Sequence, residues 1–141
     1  MTAPVDPRVR RHLAFGWYAL GVCSLLGIGL ELLHAFKLGL YLDVSSETRR
    51  LMWRLAHAHG TLLALLNVAF ACSLPRLAPS DGPDVRRASA CLLVAAITMP
   101  LGFFLGGALA SAADPSPLVG LVPIGAVMLV VGAVSAARAV N

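Results

Sequence analysis

The sequence predicts an all-α protein, an integral membrane four-helix bundle in up-down-up-down order. Three observations predict it. Of the 141 residues, 58% are hydrophobic and 13% are charged, whereas a soluble domain of this length carries about a quarter charged residues. Mean hydropathy is +0.81. The apolar residues fall into four blocks, at about 13–33, 55–74, 88–110 and 118–137, each near the roughly 20 apolar residues that a bilayer-spanning helix needs. Too little chain remains for a separate soluble domain, so residues 1–141 read as a single transmembrane domain.

The first block follows Arg8, Arg10 and Arg11. A secretory signal has an apolar run of about 7–15 residues and a small-residue cleavage site. This run continues to Glu31 without an A-x-A, so a retained first helix is expected. "LGVC", ending at Cys23, departs from a lipoprotein box at Val22. Residues 1–9, with Pro4 and Pro7, are expected to lack regular structure. Trp17 and Tyr18 suit the headgroup zone, and His12, just before the block, reads as an interfacial residue of the inner side.

The connection "FKLGLYLDVSSETRR" is amphipathic and is expected to lie along the outer surface. Ser45 or Ser46 is a candidate N-cap for a second helix that starts in water near Glu47 and enters the membrane near Trp53. That helix should stop at Leu74, before Pro75. "PRLAPSDGPD" is a turn-rich connection. Pro100 lies inside the third block and should kink its helix. Pro123 lies near the start of the fourth, where proline is tolerated.

The net charge is +4, yet its distribution argues against a nucleic-acid partner, because the basic residues cluster at helix ends. Arg8, Arg10, Arg11, Arg76, Arg86, Arg87 and Arg138 fall on one side of a four-span chain; Lys37, Arg49, Arg50 and Arg54 fall on the other. The positive-inside rule then places both termini in the cytoplasm, and the expected location is a bacterial inner (plasma) membrane. The connection 111–117 carries Asp114 and no Lys or Arg, which suits the outer side. Cys23, Cys72 and Cys91 all fall within spans, without CxxC spacing, and read as small packing residues.

Steps of three and four return to one face of a helix. Each span carries a stripe of small or polar residues at those steps: Ser24, Gly27, Glu31 and His34; Ala56, Gly60, Ala64, Asn67 and Ala71; Cys91, Ala95, Thr98, Gly102 and Gly106; Gly125, Met128, Gly132 and Ser135. Small residues let helix backbones approach closely in lipid. The stripes are therefore expected to face one another, with Asn67 and Thr98 forming interhelical hydrogen bonds.

The stripes locate the candidate chemistry. Glu31 and His34 share a face near the outer end of the first helix. His57 lies roughly 60° from the second stripe and His59 roughly 100° to its other side. His57 is thus the better candidate for the bundle side, and His59 is expected beside Leu55, Leu62, Leu63 and Leu66. "ELLH" has the Glu-x-x-His spacing of di-metal bundles, but a single copy without further glutamates argues against a di-iron centre. A single Zn²⁺ or Cu²⁺ on Glu31, His34 and His57 fits their ligand chemistry. A bland alternative is a helix-end polar network in which Glu31 pairs with Arg54 or a protonated histidine.

The stretch "AHAHGTLLALLNVAF", about residues 56–70, resembles the second membrane helix of the catalytic subunit of haem-copper oxidases. In that family a His-Gly pair near the outer face precedes an apolar helix, and the histidine ligates the low-spin haem. His59, followed by Gly60, is the matching residue. The resemblance implies a haem b held between His34 and either His59 or His57. It does not extend to the dozen spans or the copper-site histidines, so no oxidase chemistry is implied.

Three functions of different class follow. One is a protein holding haem or a single transition-metal ion through His34, His57, His59 and Glu31 in a redox or respiratory setting. A second is a non-catalytic accessory or scaffold subunit, with a membrane-protein partner or further copies of itself. A third is a proton-coupled carrier. With no H-E-x-x-H or G-x-S-x-G, the chain reads as a non-enzyme.

Overall fold

The computed structural model describes residues 6–43, 47–77, 82–111 and 114–140. These residues form five α-helices: α1 (Pro7–Ala35), α2 (Gly39–Leu42), α3 (Glu47–Ser73), α4 (Pro83–Ala108) and α5 (Leu121–Arg138). Single 3-10 turns precede α5 (Pro117–Gly120) and follow α3 (Leu74–Arg76). Among the described residues the only β-pairings are two isolated bridges, Leu77–Val140 and Ser111–Asp114. The four long helices are long and apolar enough to cross a membrane.

The helix ends follow from capping chemistry. α1 starts at Pro7, earlier than the sequence reading placed it. Asp6 is its N-cap, accepting the amide of Arg8 at 2.7 Å, and Pro7 supplies a preset φ where no amide is needed. α1 ends in a Schellman turn. Leu38 N–H donates to the Leu33 carbonyl and Lys37 N–H to the His34 carbonyl, each at 3.1 Å. Lys37 carries the left-handed φ of 51° that this turn requires. α3 starts at Glu47 as expected, while Ser45 and Ser46 lie outside the described residues. The chain continues past Leu74 as a 3-10 turn that holds Pro75 in its first positions. α4 runs unbroken through Pro100, and Pro123 sits in the first turn of α5.

The long helices form a row rather than a closed ring. α1 packs on α3, α3 on α4, and α4 on α5, while α1 touches α4 only slightly. Burial follows this order. In the apolar windows of α3 and α4, 39% and 33% of residues are buried, against 11% in α1 and 17% in α5. The stripe of α3 is buried throughout: Ala56, Gly60, Ala64, Asn67 and Ala71. In α4, Ala95, Gly102 and Gly106 are buried, as are Gly125, Gly132 and Ser135 of α5. A Cβ on Gly125 would lie 2.8 Å from Met99 Cβ and 2.9 Å from its backbone nitrogen, so α4 and α5 touch there with no space for a side chain.

α1 departs from its expected face. Ser24, Glu31 and His34 are exposed, and the buried residues of α1 are His12, Gly16 and Leu30. Cys23 and Gly27 flank the same contact with α3. Cys72, expected to pack, is exposed.

The apolar core lies at one end of the row, the core end. There Phe70, Leu74 and Leu77 meet Val85, Ala88, Leu92 and Ala139. At the opposite end two arginines of α3 hold neighbouring carbonyls. Arg49 donates to Gly107 at 3.4 Å and to Leu40 at 3.2 Å, and Arg50 donates to Tyr41 at 3.3 Å. Guanidinium groups complement the carbonyls that a helix C-terminus leaves unpaired.

Candidate functional site

The sequence-predicted residues lie at the end opposite the apolar core. Glu31 and His34 of α1 line a cavity of about 330 Å³ with Tyr41 of α2 and with Arg50 and Arg54 of α3; Leu30 and Leu42 supply its apolar wall. Spacing explains the set. Glu31 and His34 are three apart, Arg50 and Arg54 are four apart, and each pair shares one helix face. α2 borders the cavity through Tyr41 and Leu42, because the chain turns at Lys37 and brings α2 against α1 and α3. Among the described residues no ion pair joins Glu31 to Arg54 or Arg50 within 4 Å.

His57 lies deeper, between α1 and α3. Its Nδ1 is 2.8 Å from the Cys23 carbonyl, to which it can only donate. Gly27 makes room for the ring: a Cβ there would lie 2.6 Å from His57 Cε1. His57 therefore takes the helix-facing position the sequence assigns it. His59 turns to the other flank of α3. Its Nδ1 donates to the carbonyl of Leu55 one turn back, at 2.9 Å, and its ring lies 4.8 Å from that of Phe103 in α4. The four candidates thus divide into three places: a shared cavity for Glu31 and His34, the α1–α3 contact for His57, and the α3–α4 contact for His59. Among the described residues no three His, Cys, Asp or Glu side chains come together in a way that could hold a metal ion.

A second polar site lies at the core end. His12, expected at the interface, is fully buried. Its Nδ1 is 2.7 Å from Asn67 Oδ1, and its Nε2 is 2.8 Å from Ser89 Oγ. Asn67 Nδ2 donates to the Leu63 carbonyl at 2.8 Å, which fixes the amide orientation. Asn67 Oδ1 must then accept, so Nδ1 of His12 carries a proton. Arg11 donates to Ser89 Oγ. The Ser89 hydroxyl, accepting from Arg11, keeps its own proton free to donate to Nε2. Donation from Arg11 through Ser89 and His12 to Asn67 and Leu63 is one arrangement consistent with these contacts, and a neutral imidazole satisfies each step of it. Phe70 meets the ring edge-on at 4.8 Å.

Asn67 thus makes the interhelical bond expected of it. Thr98 does not: its hydroxyl donates to the Val94 carbonyl of its own helix at 2.9 Å. The sequence signal for His12 was an uncharged polar residue near the same end of three successive spans: His12, Asn67 and Ser89. Compared with known proteins, the chain matches no family model, no curated protein and no solved structure.

Proposed function

We propose that this chain is a non-catalytic accessory subunit of a larger assembly in a bacterial inner membrane. In this reading the four spans run up-down-up-down with both termini in the cytoplasm, and the His12–Asn67–Ser89 network is a structural lock. The observation that carries the reading is the outward face of α1. α1 is an edge helix, and its exposed side combines Ala14, Gly21 and Ser24 with Trp17 and Tyr18. A side chain at Gly21 would meet nothing within 4 Å. Glycine costs a helix about 1 kcal/mol relative to alanine, and against lipid it returns nothing. Against another helix, small residues allow close approach.

Extraction into native-membrane nanodiscs, followed by mass measurement, tests this. The expected particle holds the 14.7 kDa chain in fixed ratio with another membrane protein or with further copies. A single chain alone in every particle would overturn the proposal.

A second reading, a bound haem or metal ion, is favoured by one observation. Both His57 and His59 spend Nδ1 on a backbone carbonyl, the usual way a ligating imidazole is oriented so that Nε2 faces the metal. The two rings lie on different flanks of α3, so each would need its own partner. Oxidised and dithionite-reduced spectra of the purified protein, with metal analysis, decide this reading. A Soret band or stoichiometric metal supports it, and neither would remove it.

A further inference from the structure

The cavity beneath α2 has a composition that the accessory role does not use. It is lined by two guanidinium groups, an imidazole and a carboxylate, all near the water-facing end of long apolar helices. Opposite charges that share a cavity ordinarily close on one another. Here Glu31 stays more than 4 Å from Arg50 and Arg54, and neither Glu31 nor Arg54 has a hydrogen-bonding partner among the described residues. Arg50 is held in place by the carbonyl of Tyr41 at 3.3 Å, and Tyr41 is itself buried. The cavity therefore keeps a fixed cation, a second cation one turn away, and a separate anion.

We propose that this cavity binds the headgroup of a zwitterionic phospholipid of the phosphoethanolamine type, with the phosphate on Arg50, Arg54 and His34 and the ammonium on Glu31. Guanidinium suits phosphate because its planar fork offers two parallel N–H donors. Glu31 lies one to three residues from Leu30 and His34 on α1, so the carboxylate borders both the apolar wall and the basic group. The apolar wall of Leu30 and Leu42 suits the glycerol and first methylenes of a lipid rather than a free anion. The volume, about 330 Å³, is at the low end of ligand sites, which run from about 300 to 1,000 Å³, and accommodates a headgroup with its chains left in the bilayer.

The test uses the full chain in detergent, titrated with short-chain phosphatidylethanolamine, phosphatidylcholine, phosphatidylglycerol and inorganic phosphate, read by native mass spectrometry and thermal shift. Phosphatidylethanolamine should bind about tenfold more tightly than phosphatidylcholine, whose methylated ammonium has no N–H for Glu31. Glu31→Gln should abolish that preference while phosphate-dependent binding persists. Arg54→Gln should weaken both lipids by about tenfold. Both side chains are exposed, so the variants should fold, and unchanged unfolding without lipid verifies this. Equal binding of the two zwitterionic lipids, tighter binding of phosphatidylglycerol, an unchanged preference in Glu31→Gln, or displacement by millimolar inorganic phosphate would each overturn the proposal. Partner loss does not enter the measurement, so its outcome is independent of the accessory-subunit reading.

Discussion

His12 and Ser89, 77 residues apart in the chain, share a 2.8 Å hydrogen bond that joins α1 directly to α4. Apart from this bond and the Arg11–Ser89 bond beside it, α1 and α4 barely touch, so these two bonds and the His12–Asn67 bond tie the edge helix to both central helices at one point. The rest of α1 depends on its packing against α3.

Removing the imidazole should therefore loosen the row. His12→Ala leaves the buried Asn67 and Ser89 side chains short of a partner, which should cost about 1–3 kcal/mol. Thermal unfolding in detergent measures the cost. Because the network connects helices, a double-mutant cycle between His12 and Asn67 should show a coupling of at least about 0.6 kcal/mol, the average for hydrogen bonds between membrane helices. Strictly additive losses would mean that the bond contributes nothing.

Gly27 and His57 form one fitted pair. Gly27→Ala places a methyl group 2.6 Å from the imidazole, and overpacking of this kind costs about 1–3 kcal/mol. His57→Ala on that background should recover most of the loss, since it removes the colliding ring. If the double variant is less stable than Gly27→Ala, the contact is not what limits the site.

The α4–α5 contact at Gly125 should be less forgiving. There the colliding atoms include the Met99 backbone nitrogen, which no rotamer change can clear. Gly125→Ala should destabilise by about 1–3 kcal/mol, and Met99→Ala, which keeps the colliding Cβ and nitrogen, should not rescue it. Substantial rescue would show that the Met99 side chain beyond Cβ sets the spacing.

Lys37 holds a left-handed φ of 51°, which costs an L-residue roughly 1–2 kcal/mol. Lys37→Gly removes that strain but adds freedom to the unfolded chain. The expected net effect is a stabilisation of up to about 1 kcal/mol, read as a raised unfolding temperature. A loss of stability would place a contact of the lysine side chain above its backbone strain.

The spans and the faces of the central helices were legible in the sequence because both depend on local periodicity. α3 starts at Glu47 and buries its whole small-residue stripe, since a helix flanked on both sides leaves a long, regular record in its residues. α1 did not yield its face in the same way. The other edge helix, α5, buries Gly125, Gly132 and Ser135 of its stripe, whereas the contact residues of α1 are His12, Gly16, Cys23, Gly27 and Leu30. Only Gly27 belongs to the stripe that polar spacing suggested. Glu31 and His34 lie at the end of the helix, where polar side chains reach the cavity without marking the buried side. His12 was misread because its neighbours Arg10 and Arg11 make the segment look water-facing. What buries it comes from Asn67, Phe70 and Ser89, contacts that no local window contains. "DPRVRR" nevertheless held a readable helix start, an aspartate cap followed by proline.

The outward face of α1 carries the functional account, and Gly21→Leu tests it most directly. Because a side chain at Gly21 meets nothing within 4 Å, the isolated chain should unfold at the same or a higher temperature, leucine being the better helix former by about 1 kcal/mol. The measurement is the mass of the assembly in native-membrane nanodiscs, wild type against variant. The account predicts that the assembly dissociates while the chain stays folded. An assembly of unchanged mass and stoichiometry in the variant would contradict it.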